Sequence, residues 1–195
     1  MIADWYNRDM VKLTAKQLRV AEPDSEMLSS VKKNPITIIV DDVWDTYNVG
    51  SIFRLAEAVA VEKVYLCGQT LTPPNSRIKK ASINTWQLVD WEYKDTAIGA
   101  VETFKEAHPD GFVYAIEQNE KSIPFQSVKY RLPIAIVIGN ETVGVSKEVL
   151  EMVDTIVELP MYGINVSLNV MVCSGIILYE IMRQKELQKI KNTLL

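Results

Sequence analysis

Three short stretches carry the residues whose types and spacing suit chemistry. "DDVWDTYNVGSIFR" holds Asn48 ahead of Arg54, "IGNETVGVSK" holds Glu141 between Gly139 and Gly144, and "LPMYGINVSLNV" holds Ser167 and Asn169. Amide, hydroxyl, carboxylate and guanidinium groups brought to loop ends can form a common polar site. Each residue taken singly also has a plainer role: Asn48 as a helix N-cap, Arg54 as an exposed helix arginine, Ser167 as the cap of the last helix. Capping leaves Asn169, at the entrance of that helix, without a task.

Other chemistries are thinly supplied. The only histidine, His108, lies in the polar turn "EAHPDGF" and reads as solvated. The two cysteines, Cys67 and Cys173, lie in apolar surroundings and read as reduced core thiols of a cytoplasmic protein. A zinc site or a nucleophile–histidine pair would lack ligands or motif support, so the sequence predicts chemistry without metal. "IGNETVGVSK" spaces its glycines like a phosphate-binding loop. However, Val145 and Ser146 stand where Lys and Ser or Thr belong, and Glu141 would repel a phosphate.

These loops need a scaffold, and the apolar patterning supplies one. "PITIIVDD", "KVYLCG", "WQLVDWEY", "GFVYAIE", "PIAIVIG" and "TIVELP" predict strands. "GSIFRLAEAVA", "TAIGAVETFKEA", "SKEVLEMV" (with Ser146 as N-cap) and the segment from Val170 predict helices, the last read as mostly buried. Strands alternating with helices predict an α/β protein with a mostly parallel sheet flanked by helices. Residues 1–33 read as a polar helical extension and 34–195 as a single domain. Ligands of such sheets bind beyond the carboxyl ends of the strands, where the three loops fall.

Composition narrows the classes further. A formal net charge of −4 argues against a broad basic face for nucleic acid, leaving local clusters at Arg77, Lys79 and Lys80 and at Lys185, Lys189 and Lys191. No run of apolar residues is long enough to span a bilayer, and "MIADWYNRDM" has no apolar signal-peptide core. Neither a membrane span nor a secretory leader is expected.

Together, "NVGSIFRLAEA", "IGNETVGVS" and "LPMYGINVSLNVMVCSGIILYEIMRQ" resemble the three motifs of the SpoU–TrmH family of RNA 2′-O-ribose methyltransferases, within the SPOUT superfamily. The resemblance implies a C-terminal deep trefoil knot, S-adenosyl-L-methionine as methyl donor (S-adenosyl-L-homocysteine as product), an RNA substrate and a homodimer. By motif position it implies catalytic roles for Asn48, Arg54, Glu141, Ser167 and Asn169, with Glu141 and Asn48 orienting Arg54. Cofactor contacts fall on Gly139, Leu159, Met161, Gly163 and Leu168. A tRNA is the favoured substrate and ribosomal RNA the second. A SPOUT enzyme that methylates a base nitrogen and a non-catalytic RNA-binding relative are the alternatives. The chain departs from the pattern at Ala60, which stands for a common glycine and is tolerable if its φ is negative, at "SINTW" around Asn84, and at Met171 and Cys173.

Overall fold

The computed structural model describes residues 12–20, 22–23 and 25–193; the first eleven residues of the predicted extension lie outside these. The extension forms two short helices, α1 (Ala15–Leu18) and α2 (Ser25–Ser30). There follow β1 (Asn34–Asp41), α3 (Thr46–Ala58), β2 (Val61–Cys67), α4 (Ser76–Ser82), β3 (Trp91–Lys94) and α5 (Ala97–Ala107). The chain continues through β4 (Phe112–Ile116), β5 (Ile123–Pro124), β6 (Ile134–Ile138), α6 (Lys147–Leu150), β7 (Thr155–Glu158) and α7 (Val170–Thr193).

All seven strands pair in parallel, in the order β3-β2-β1-β6-β4-β7-β5. A parallel sheet is covered on both faces, so its central strands are apolar on both. In β1, Ile36, Ile38 and Val40 join one core with Ile52 and Phe53 of α3 and Ile177, Leu178 and Ile181 of α7. Ile39 points the other way, into a second core with Val101 and Phe104 of α5 and Val149 of α6. The expected α/β class is the one observed.

Several expectations change in detail. "WQLVDWEY" is strand only from Trp91; Thr85–Gln87 is a 3-10 turn entered through Ile83 and Asn84, both at positive φ. Helix α4 was not foreseen. It begins where Asn75 accepts from the N–H groups of Arg77 and Ile78, and its Ala81 lies so near Gly50 that a Cβ there would come within 2.5 Å. Helix α6 is one turn long, and the Ser146 side chain does not cap it. The Ser146 Oγ and N–H both donate to Asp41 Oδ2, tying α6 to the end of β1. The condition of a negative φ at Ala60 is not met: it sits at φ 50°, closing α3 in the left-handed conformation a glycine adopts freely.

Candidate active site

Parallel pairing puts every strand's carboxyl end on one edge of the sheet, and the three loops gather there. After β1 the chain turns through Asp42 to Asp45, the N-cap of α3, whose carboxylate accepts from Tyr47 N–H. Asn48 therefore lies inside the first turn and is not the cap. Its side chain is buried and has two partners. Its Nδ2 donates to Glu141 Oε1 at 2.9 Å, and its Oδ1 accepts from Asn169 Nδ2 at 2.9 Å. Asn169 is itself the cap of α7, accepting from Met171 N–H at 2.9 Å. That displaces Ser167 from the capping role: Ser167 is exposed, and its N–H faces the Asn165 side chain.

Glu141 anchors the other end of this relay. Its carboxylate also accepts from the N–H groups of Trp44 and Asp45. Burial pulls the Glu141 pKa upward, but the bonds from Asn48 and from the backbone outweigh it, holding the carboxyl below its usual range. A carboxylate so committed is a weak proton acceptor and a firm anchor. Asn140, which the sequence reading passed over, is buried beside it. Its Nδ2 donates to Asp42 O, and its Oδ1 accepts from the N–H groups of Thr142 and Val143. The Asn140 and Gly144 backbones pair reciprocally, leaving no room for a side chain at Gly139, where a Cβ would lie 2.2 Å from Gly144 C.

The pocket beside the relay has a volume of about 590 Å³ and lies beyond the ends of β4, β6 and β7. Among its walls are Gly139, Glu141, Leu159, Met161, Ser167, Leu168 and Asn169. Gly163, expected at the same site, is not on the wall; a Cβ there would meet nothing within 4 Å, so no contact makes glycine necessary at that position. Glu117 and Glu158 line the pocket without having been singled out, Cys173, expected as a core thiol, lines it too, and among the described residues no lysine or arginine does. Glu117 is fixed by accepting from Val145 and Gln118 N–H, and Glu158 by accepting from Ser122 Oγ.

Arg54 stands apart. It is exposed and makes no hydrogen bond or ion pair among the described residues, so neither Glu141 nor Asn48 orients it within its own chain. Six residues beyond Asn48 on α3, it lies about 9 Å further along the axis and about 240° around it. The relay and Arg54 therefore face different directions.

A parallel α/β sheet with an acidic pocket at its carboxyl edge, beside a fixed polar relay, places the chain among α/β proteins whose candidate site lies beyond the strand ends. The chain belongs to the SpoU rRNA Methylase family, whose profile matches residues 35–179. It is 35% identical over 165 residues to the tRNA (guanosine(18)-2'-O)-methyltransferase of Aquifex aeolicus, covering 83% of this chain and 74% of that protein. It is 28% identical over 171 residues to the 23S rRNA (guanosine-2'-O-)-methyltransferase RlmB of Ralstonia nicotianae, covering 88% and 68%. The crystal structure of the A. aeolicus TrmH/SpoU tRNA modifying enzyme superposes with a TM-score of 0.73 at 31% identity, covering 90% of this chain and 84% of that one.

Proposed function

We propose that the protein is an S-adenosyl-L-methionine-dependent RNA methyltransferase that methylates a ribose 2′-hydroxyl, with a tRNA as substrate and ribosomal RNA second. The observation that carries this is the Asn169–Asn48–Glu141 relay at the mouth of the pocket, built from all three family motifs. The pocket suits the cofactor: Glu117, Glu141 and Glu158, with no cation among them, fit a ligand bearing a sulfonium and an ammonium group. Its wall residues Gly139, Leu159, Met161 and Leu168 would hold it, and when bound it supplies a methyl group on positively charged sulfur.

The chain's own residues then do the positioning. Asn169 and Ser167 would hold the ribose hydroxyls, with Asn169 kept in place by Asn48 and Asn48 by Glu141. The 2′-oxygen loses its proton as it attacks. That proton goes to the neighbouring phosphate or to water; a guanidinium, already protonated, cannot take it but stabilises the alkoxide and holds that phosphate. Arg54 has that role in the proposal, delivered by a second copy of the chain. A homodimer is supported by α7, where Val172, Ile176 and Tyr179 and, past the exposed Arg183, Leu187 and Ile190 lie exposed on one face at helical spacing. The expectation of a mostly buried α7 holds for its opposite face, Ile177, Leu178 and Ile181.

The trefoil knot, the division into an extension (1–33) and a methyltransferase domain (34–195), and a cytoplasmic setting belong to the same proposal. Among the described residues no helix is long and apolar enough to cross a membrane. The test is alkaline hydrolysis of RNA methylated with radiolabelled donor. A methylated 2′-oxygen cannot attack the adjacent phosphate, so the label should mark a cleavage-resistant position. Label at a position that still cleaves would overturn the ribose assignment.

A further inference from the structure

Helix α1 has only four residues, too few to persist in water without outside support. Its amino end is closed by a reciprocal bond between Thr14 and Gln17. Its carboxyl end is closed by a residue far along the chain. Asn84 Nδ2 donates to Leu18 O at 3.1 Å and to Arg19 O at 2.9 Å, satisfying carbonyls that a helix end leaves open. Asn84 is buried and sits at φ 66°, directly after Ile83 at φ 53°. A β-branched residue rarely adopts that conformation, so the turn is strained. The same turn puts the Asn84 N–H on Lys79 O at 3.3 Å. One asparagine thus bonds both the end of α1 and the last turn of α4.

The outcome is a group of cations. The Arg19 and Lys79 carbonyls both accept from Asn84, and Arg77, Lys79 and Lys80 lie exposed on α4 while Ile78 and Ser82 are buried. All four are exposed, and none makes an ion pair or side-chain hydrogen bond among the described residues. By contrast, Lys63, Lys94, Lys105 and Arg183 each pair with a carboxylate. Helix α4 rests on α3 at Gly50, so this ridge adjoins the helix that carries Arg54.

Resting on the RNA methyltransferase reading, we propose that Asn84 is a clasp that docks α1 on α4, forming with Arg19, Arg77, Lys79 and Lys80 a surface that grips the RNA sugar-phosphate backbone. It places positive charge locally in a chain of net charge −4. Phosphate contacts of this kind position a substrate without reading its sequence.

The test measures binding of fluorescent, unmodified tRNA transcripts by the full chain between about 50 and about 200 mM salt. Each phosphate contact removed lowers the slope of log affinity against log salt by about one. Lys79→Gln with Lys80→Gln should lower it by about two and Arg19→Gln by about one. Asn84→Gly retains the left-handed backbone and removes only the clasp. It should weaken RNA binding to the level of Arg19→Gln, with calorimetric S-adenosyl-L-methionine affinity unchanged. If the parent methylates RNA and every variant keeps its affinity and slope, the surface is wrong and the enzyme reading stands. If the parent neither binds nor methylates RNA, the enzyme reading fails and the surface falls with it.

Discussion

Asn48 gives its two amide ends to two different loops: it donates to a carboxylate and accepts from another amide. Aspartate could not donate to Glu141, and leucine of similar size could do neither. Arg54 is the reverse case, a charged group with no partner among the described residues of its own chain. If its planar fork both holds a phosphate and meets the alkoxide, Arg54→Lys should lose most turnover while calorimetric cofactor affinity stays put. Near-parental turnover would show that charge alone suffices. The two thiols should also separate. Burial, with Asp41 and Asp42 nearby, pushes Cys67 up to about 12, and its side chain is fully enclosed. Cys173 is raised too, chiefly by burial, but it is only half-buried and lines the pocket. Iodoacetamide at mildly alkaline pH should therefore label Cys173 slowly and Cys67 not at all, with S-adenosyl-L-methionine protecting Cys173. Peptide mapping by mass spectrometry reads the result.

At the scale of elements, the end of α3 carries a cost that one substitution can relieve. The left-handed conformation costs a non-glycine residue about 1–2 kcal/mol, and glycine returns about 0.4–1 kcal/mol of that through the freer unfolded chain. Ala60→Gly should thus stabilise the protein by about 0.5–1 kcal/mol, seen as a higher urea midpoint at unchanged slope. The residue type alone could not reveal this, because φ depends on how α3 hands over to β2. Strands β1, β2, β4, β6 and β7 were legible because runs such as "ITIIV" and "IAIVI" can do little other than fill a doubly covered sheet. Helix α4 was not, since "SRIKKAS" has almost no apolar stripe and exists by virtue of its Asn75 cap and its seat on Gly50. The site divides in the same way. That Asn48, Glu141 and Asn169 stand at strand-end loops was legible; their mutual bonds, the swap of capping duty from Ser167 to Asn169 and the fixed carboxylates Glu117 and Glu158 depend on contacts between loops far apart in sequence.

At the scale of the whole molecule, the unpartnered Arg54 and the apolar stripe on α7 give one prediction. Arg54→Ala and Asn169→Ala should each be inactive alone. After mixing and subunit exchange, random pairing makes about half the dimers mixed, and each mixed dimer holds one site free of both lesions. Activity should return to about a quarter of parental. No recovery, once exchange is verified by mass spectrometry of differently tagged chains, would rule out a site shared between two chains.

The strand order has a consequence for how the chain is made. Strand β1 lies at the heart of the sheet, yet one of its two neighbours is β6, so Ile36 must wait for Ile134 to be synthesised. Contacts between residues so far apart form late and expose apolar surface meanwhile. As the chain emerges from the ribosome, β1 and β2 can pair, but one edge of β1 stays open until most of the protein has been translated. During that interval the nascent chain presents "ITIIV" to whatever surrounds it, which makes it a natural client for ribosome-associated chaperones.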